Sequence, residues 1–368
     1  MSRIAWTTSV WACLAAAALA AAPDEAKVQG MYKGTWKSGD QEGTLEARVV
    51  ALGKGDYKVY LEQRQGEKMT AKTELEGTTE GQKVLFKGEG GWEASTPGDG
   101  TIAGTMAGGT FQLRRFIPES PTSGKKPPEG AVVLLDGEDF SNMVRRGGEP
   151  WYLGDMSKDG WPVWEVPIRT IVANRPDTWP TEHKPVPEGW TLGEQRRRVD
   201  SVVGIGEDGS IRIPRGGMNS KDNFEGGFDL HVEFRCPLRA TARGQGRGNS
   251  GVYLPCRTEI QVLDSFGMTT YEGGCCGGLY RWKNPDPFDQ FPLACYPPLV
   301  WQTYDMEYRV RKDEKGKPAS FLTVYHNGIL IHDNVRLRHG PRKGRFHFQD
   351  HGNPVRYRNI WVLPLEEK

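Results

Sequence analysis

A short stretch at residues 257–264, RTEIQVLD, places two acids and an amide where a β-strand is expected. Glu259 and Gln261 are two residues apart, so a strand directs both side chains to one face while the residues between them enter a core. Asp264 would point to the opposite face unless a β-bulge just before it restored the alignment. Acid, amide and acid together indicate either a solvated strand face or a carbohydrate site.

The composition favours a neutral ligand. The chain has 368 residues with 48 Lys and Arg against 47 Asp and Glu, a net charge of +1, so no nucleic-acid partner or anionic membrane surface is expected. Sugars, which are neutral and rich in hydrogen-bonding groups, suit that balance. The 47 Gly and 25 Pro predict many short strands joined by turns, hence an all-β protein.

The elements that must position these residues fall into two predicted units. Residues 28–116 alternate apolar and polar side chains between turns, which is typical of a small antiparallel β domain, a meander or barrel with an accessory role. Residues 117–130 are a linker by their Pro, Ser, Gly and Lys content. Residues 131–368 carry the strand-rich segments of one large β-sandwich, with both RTEIQVLD and GRFHFQDHG inside it.

The N-terminus predicts export. Arg3 precedes an apolar run that ends near small residues, so residues 1–22 are interpreted as a signal peptide with cleavage after Ala20. No membrane span is expected, because the run is short and interrupted by hydroxyl residues. The protein is therefore predicted to be periplasmic or extracellular, of bacterial type.

Five cysteines remain after such cleavage, and one of them must stay unpaired. Cys275 and Cys276 are adjacent, and Cys256 and Cys295 are the obvious disulfide partners, so a bridge that staples a loop is expected.

A loop-like segment, about 147–200, is rich in tryptophan. Tryptophan rings can pack against sugar rings, but most of these five are expected to form a small satellite core, with one or two left for a site. They are Trp151, Trp161, Trp164, Trp179 and Trp190.

Longer motifs carry a family resemblance. GNSGVYLPCRTEIQVLDSFG, CGGLY and FQDHGNPVRYRNIWV together resemble the 3-keto-disaccharide hydrolase domain, and the likeness runs from LLDGEDFSNM to the last strand. The resemblance implies a concanavalin A-like jelly roll with a ligand groove on its concave face. It also implies an exported bacterial protein that cleaves the glycosidic bond of sugars oxidised at C3.

The predicted chemistry follows from how the strand departs from a glucanase pattern. β-Glucanases of the laminarinase and lichenase type carry E-x-D-x-x-E, whereas here Gln261 and the shorter Asp264 replace the second and third acids. Ordinary retaining hydrolysis needs two carboxyl groups ~5–5.5 Å apart. It is disfavoured here because Asp264 is one methylene shorter than Glu, which widens the gap to Glu259, and because Gln261 cannot ionise. A 3-keto sugar offers another route, because the ketone acidifies the C2 hydrogen and a general base can then expel the C1 substituent.

Glu259, His351 and Asp264 are the predicted catalytic residues, with Glu259 or His351 as the base. His347 and His332 are interpreted as surface histidines at strand ends, without a catalytic role. The predicted substrate-binding residues are Asn249, Tyr253, Gln261, Gln349 and Tyr304.

Three alternatives stay open at this stage. A divalent metal ion held by Glu259, His351 and Asp264 could act as the Lewis acid, although no contiguous motif requires one. The domain could instead be a lectin-like module that binds carbohydrate without catalysis. An ordinary β-glucanase is the third reading.

Overall fold

The computed structural model describes residues 22–138, 140–149, 151–154, 202–204, 206 and 208–365. Its first unit consists of a short helix and eight strands. These are α1 Glu25–Val28, β1 Gly30–Ser38, β2 Gln41–Gly53, β3 Asp56–Gln65, β4 Lys68–Glu80, β5 Lys83–Gly88, β6 Trp92–Thr96, β7 Thr101–Met106 and β8 Gly109–Phe116.

The eight strands form a closed antiparallel barrel, because β1 pairs with both β2 and β8. The alternation read from the sequence places every second side chain inside; on β3, Tyr57, Val59 and Leu61 are buried. Val28 of α1 joins the same core, and the Tyr32 hydroxyl donates to its carbonyl oxygen at 2.6 Å. The expected small antiparallel β domain is therefore confirmed, as a barrel.

The second unit is built from strands β9 to β24. They are β9 Val132–Leu135, β10 Met143–Val144, β11 Tyr152–Gly154, β12 Val202–Gly204, β13 Ile211–Arg212, β14 Met218–Ser220, β15 Phe228–Arg235, β16 Ser250–Tyr253, β17 Glu259–Val262, β18 Phe288–Asp289, β19 Phe291–Pro292, β20 Gln302–Lys312, β21 Pro318–His326, β22 Ile329–Arg336, β23 His347–Phe348 and β24 Arg356–Pro364.

Two sheets enclose the main core of this unit. The smaller has the order β10-β14-β23-β16-β17, and the larger has the order β13-β24-β15-β20-β21-β22 with β9 added against β24. Apolar side chains from both sheets form one buried cluster, among them Val252 and Ile260 from the smaller sheet and Val232 and Met306 from the larger. The predicted all-β, jelly-roll type of sandwich is confirmed.

The segment between the two units lies on the outer face of the larger sheet. Ser120 is buried, and its hydroxyl lies 2.6 Å from that of Thr303 on β20. The Thr122 hydroxyl donates to Asp305 at 2.6 Å. The predicted linker 117–130 is therefore irregular in conformation but docked on the sandwich around these residues.

Barrel and sandwich also contact each other directly. The Arg48 guanidinium, on β2, donates to the carbonyl oxygen of Leu293 at 2.9 Å. The rings of Tyr60 and Phe291 lie 4.8 Å apart, and Lys72 forms an ion pair with Asp289. The chain between β18 and β20 thus packs against the barrel wall.

Some sequence predictions fall outside the described residues. They are the signal peptide 1–22, apart from Ala22, and the tryptophans Trp161, Trp164, Trp179 and Trp190 of the 147–200 segment. Trp151 is described, and it is buried in the main sandwich core, whereas most of the five tryptophans were expected to form a separate satellite core. In the part of the chain that the structure describes, no helix has the length and apolar character needed to cross a membrane.

The expected loop-stapling disulfide is not formed. Cys236, Cys256, Cys275, Cys276 and Cys295 are all buried free thiols. Cys276 lies 3.2 Å from the Tyr304 hydroxyl and hydrogen-bonds with Cys295. The loop that was expected to need a bridge is held instead by backbone hydrogen bonds to β17.

Candidate active site

Glu259 opens strand β17, where it faces Tyr253 of β16 across the smaller sheet. β17 is the edge strand of this sheet, and the chain from Gly277 to Tyr280 covers that edge. Gly277 N–H donates to the Gln261 carbonyl and Tyr280 N–H to the Glu259 carbonyl, at 2.9 and 3.1 Å. Because both sides of β17 are hydrogen-bonded, the backbone that carries Glu259 is fixed.

The Glu259 side chain is buried, with 6% of its surface exposed. Burial penalises the charged form and raises the pKa of this carboxyl to about 7, although a hydrogen bond with Tyr253 opposes the shift. A carboxyl group with this pKa is half ionised near neutral pH, which suits a general acid or base.

Gly251 makes the position of this carboxylate possible. A Cβ at residue 251 would lie 2.2 Å from Glu259 Oε1. The Glu259 side chain therefore folds over the bare backbone of β16, and a larger residue there would displace it.

Tyr253 links Glu259 to strand β23 and its following loop. Its hydroxyl accepts a hydrogen bond from Gln349 Nε2 at 3.2 Å, which leaves the hydroxyl proton available for Glu259. The His347 ring lies 5.5 Å from the Tyr253 ring, and its Nδ1 is 3.1 Å from Asn219 Oδ1. Burial lowers the pKa of His347, which favours the neutral imidazole.

Glu259 lines an open cavity of about 310 Å³. The other lining residues come from the end of β16, the β16–β17 turn, the chain after β17 and the chain after β22; they are Tyr253, Arg257, Thr258, Leu279, Tyr280, Trp282, Arg338 and His339. This volume is sufficient for a small ligand.

Aromatic rings form one wall of the cavity. The Tyr280 hydroxyl lies 2.8 Å from that of Tyr271, and the Arg338 guanidinium lies 4.8 Å from the centre of a Trp282 ring. Flat apolar rings with polar edges are suited to sugar binding.

Three amide side chains form a cluster at the middle of β17. Gln261 Nε2 donates to Gln245 Oε1 at 2.7 Å, and Asn249 Nδ2 donates to the same oxygen at 3.0 Å. Asn249 and Gln261 thus hold the turn Gly244–Gly246 against the strand. Gln261 is almost fully buried, and its Oε1 accepts no hydrogen bond from another described residue.

Besides Asn249 and Gln261, two further predicted site residues lie in the interior instead of in the cavity. Asp264 follows the end of β17 and forms a buried ion pair with Arg247, Oδ2 to Nε 2.9 Å. Burial raises the pKa of Asp264 to about 6 against the opposing effect of Arg247, so the pair remains largely charged at pH 7. Tyr304 is fully buried under β17, where its hydroxyl donates to the Gln261 carbonyl at 2.7 Å.

His351 lies in the exposed loop after β23, and its backbone carbonyl accepts a hydrogen bond from Asn353. Among the described residues, no three His, Cys, Asp or Glu side chains converge as a metal site requires. Glu259, Asp264 and His351, all of them described, therefore do not form the ligand set that the sequence suggested.

Sequence reasoning missed several cavity residues. Arg257 was passed over within the quoted motif, and Trp282, Arg338 and His339 lie in loops with no recognisable pattern. The segment Tyr280–Trp282, two aromatic residues around an arginine, was the one local signal. It lay outside the tryptophan-rich segment to which a sugar-binding role was assigned.

The two-sheet sandwich and its buried acid beside an aromatic cavity, together with the family model that matches them, make this a carbohydrate-active enzyme by class. More particularly, the chain belongs to the family of 3-keto-alpha-glucoside-1,2-lyase-like domains, whose model matches residues 130–363. The family resemblance read from the motifs is thereby confirmed.

Solved structures give more distant likenesses. A protein from Parabacteroides distasonis ATCC 8503, proposed to be a glycosyl hydrolase, is 23% identical over 65% of this chain and 85% of its own, with a TM-score of 0.43. The alginate lyase Aly36B is 11% identical over 48% of this chain and 93% of its own, with a TM-score of 0.28. A Trypanosoma rangeli sialidase is 10% identical over 91% of this chain and 58% of its own, with a TM-score of 0.25. Scores this low do not bear on function, and a comparison with curated proteins finds no match.

Proposed function

We propose that this protein is an exported enzyme that cleaves 3-keto-glycosides by elimination, with Glu259 as the general base. The observation that carries the proposal is the Glu259 carboxyl, which is buried at the cavity wall, has a pKa of about 7 and is hydrogen-bonded to Tyr253. Membership in a family described as 3-keto-alpha-glucoside-1,2-lyase-like supports the substrate class.

The proposed reaction begins at C2 of the oxidised sugar. The Glu259 carboxylate takes the C2 proton, and the electron pair of the C–H bond moves toward the C3 ketone to give an enolate. The enolate collapses to an enone as the C1–O bond breaks, and the leaving oxygen takes a proton from protonated Glu259. Addition of water across the enone double bond, oxygen at C1 and hydrogen at C2, completes a net hydrolysis.

Tyr253 and Gln349 have supporting roles in this proposal. Tyr253 holds the carboxylate through its hydroxyl, and Gln349 Nε2 carries a second N–H that can stabilise the developing oxyanion. His351 stays the predicted alternative base, acting from the exposed loop after β23.

The position of Asp264 disfavours a two-carboxylate glycosidase mechanism. Both retaining and inverting hydrolysis use a pair of acids that flank the bond to be cleaved. Asp264 is instead paired with Arg247 in the interior, and Glu259 is the one carboxylate among the described residues that line the cavity.

The direct test is to incubate the protein with a 3-keto-disaccharide and with the same sugar unoxidised, in D₂O. We expect the 3-keto-disaccharide to be cleaved and the unoxidised sugar to stay intact, with deuterium at C2 of the product. In Glu259→Gln, turnover should fall by at least about 100-fold. Glu314→Gln, at an exposed hairpin turn, is the matched control.

Two results would reject parts of this proposal. Sugar binding without product formation would favour the lectin-like alternative. Full activity of Glu259→Gln would exclude Glu259 as the base and leave His351 to be tested.

A further inference from the structure

We infer that the glycoside bound in this cavity carries a negatively charged group, a carboxylate or a sulfate, beside the bond to be cleaved. The inference rests on the proposed function and adds the substrate class to it. It comes from arginines around the cavity, which the elimination of a neutral sugar does not require.

Three arginines surround the cavity mouth. Arg257 and Arg338 line it directly. Arg281 lies at the rim, with its guanidinium 5.5 Å from the ring of Tyr280 in the cavity wall. All three are exposed at the surface of the described protein.

Their guanidinium groups have no acidic partner among the described residues. Some other sandwich arginines do have an acidic partner; Arg309 lies 2.6 Å from Asp229 and Arg336 lies 2.7 Å from Asp313. At the cavity Arg338 lies over a Trp282 ring, whereas Arg281 lies over the Tyr271 ring and hydrogen-bonds with the side chains of Tyr271 and Tyr280. A guanidinium that lies over an aromatic ring, as that of Arg338 does, keeps its N–H groups free to donate to a ligand.

Arg257 is also held in an unusual backbone conformation. It has φ +69 in the turn between β16 and β17, where its N–H donates to Leu254 O at 2.9 Å. This left-handed region favours glycine or asparagine. An arginine at such a position, two residues before Glu259, points to a use for its side chain.

The charge balance of the cavity favours an anion. Among the described residues that line the cavity, Glu259 is the one carboxylate and is half protonated near neutral pH, so the positive charge of the described arginines exceeds the negative charge of the described wall. Guanidinium groups bind planar carboxylates and sulfates through two parallel hydrogen bonds. An acidic glycoside would supply the missing negative charge.

Arginines could instead serve only to stabilise the enolate, and the two roles give different results. A role in enolate stabilisation predicts equal losses of kcat on neutral and acidic 3-keto-glycosides when an arginine is replaced. A role in recognition predicts a loss confined to binding and KM for the acidic substrate.

The test compares glycosides that differ only in charge. Binding of a glucoside, the matching glucuronide and the 6-sulfated glucoside would be measured by calorimetry on full-length Glu259→Gln, at low salt and in 0.5 M NaCl. We expect at least about tenfold tighter binding of a charged ligand at low salt, and loss of that preference in Arg257→Gln or Arg338→Gln. Arg114→Gln, on the exposed outer surface of the barrel, is the control.

Comparing the two charged ligands identifies which anion is recognised. A preference for the glucuronide assigns a carboxylate, and one for the sulfated glucoside assigns a sulfate. Equal binding of all three ligands, or equal losses for neutral and charged ligands in the arginine variants, would overturn the inference. The proposed function fails separately, if wild-type protein cleaves neither a neutral nor an acidic 3-keto-glycoside.

Discussion

At the scale of single residues, the environment of Glu259 sets the pH dependence of the proposed reaction. Since burial raises the pKa of this carboxyl to about 7, the base is protonated below that pH and ionised above it. We expect kcat/KM for a 3-keto-disaccharide to rise about tenfold per pH unit up to about pH 7 and then level off.

Tyr253→Phe provides the check, because it removes the hydrogen bond that lowers the pKa of Glu259. The inflection in the pH profile of kcat/KM should move to higher pH, and the fold should stay unchanged. A flat profile between pH 5 and 9 in the wild type, or an unshifted one in the variant, would mean that another group titrates.

Gly251 provides a second test at the same scale. In Gly251→Ala the new methyl group would meet Glu259 Oε1 at 2.2 Å, so the carboxylate must move away from the cavity wall. We expect a loss of activity of about 100-fold and a destabilisation of about 1–3 kcal/mol. Gly340→Ala, where the nearest neighbour is 3.7 Å away, should change neither quantity. Activity at the wild-type level in Gly251→Ala would show that Glu259 need not occupy this position.

The strand that carries Glu259 could be predicted from sequence, but the rest of the cavity could not. Alternation alone places Glu259 and Gln261 on one face, since the strand period is two. Arg257, Trp282 and Arg338 meet Glu259 through three separate loops. Their approach depends on how the chain closes over the sheet edge, which no local pattern encodes.

At the scale of elements, the end of β17 explains why Asp264 lies in the interior and not beside Glu259. The bulge expected to turn Asp264 toward Glu259 would need the strand to continue, whereas β17 ends at Val262. Asp264 N–H donates to the Arg247 carbonyl at 2.9 Å, so backbone and side chain both connect the strand end to that arginine. We therefore expect Asp264 to have a structural role.

Asp264→Asn separates a structural from a catalytic role. The substitution leaves the Arg247 charge buried without its partner, and we expect a loss of about 3–5 kcal/mol in the free energy of unfolding, measured with urea. The protein that remains folded should keep wild-type kcat and its pH profile. The double variant Arg247→Met, Asp264→Leu should recover most of the stability. Loss of kcat in fully folded Asp264→Asn would restore Asp264 as a catalytic candidate.

At the scale of the whole molecule, composition identified the segment between barrel and sandwich but not its docking. Residues 117–130 are rich in the residue types of flexible linkers, and nothing in their pattern names a partner. We expect their docking to depend on Glu233, a charged residue buried on β15 more than 100 positions away. Glu233 Oε1 accepts from Gly124 N–H at 2.5 Å, and its Oε2 accepts from Arg358 Nε at 2.7 Å.

Glu233 makes this docking sensitive to acid. Burial alone would raise the pKa of its carboxyl, but hydrogen bonds from His231, Asn359, Gly124 and Arg358 lower it to about 2. A carboxyl whose pKa is lower in the folded protein contributes stability that is complete above its ordinary pKa of ~4.5 and lost as the pH falls toward 2. Docking of the segment should weaken over that window.

Glu233→Gln should reproduce the acid effect at neutral pH, because the neutral amide cannot form the ion pair with Arg358. We expect amide hydrogen exchange in residues 122–125 to become faster by at least about tenfold, while the barrel strands keep their protection. Glu307→Gln, on the exposed face of β20, is the matched control and should leave exchange unchanged. If residues 122–125 exchange at the wild-type rate in Glu233→Gln, the segment is held by its hydroxyl contacts to β20, and the buried charge on β15 is not what joins the two units.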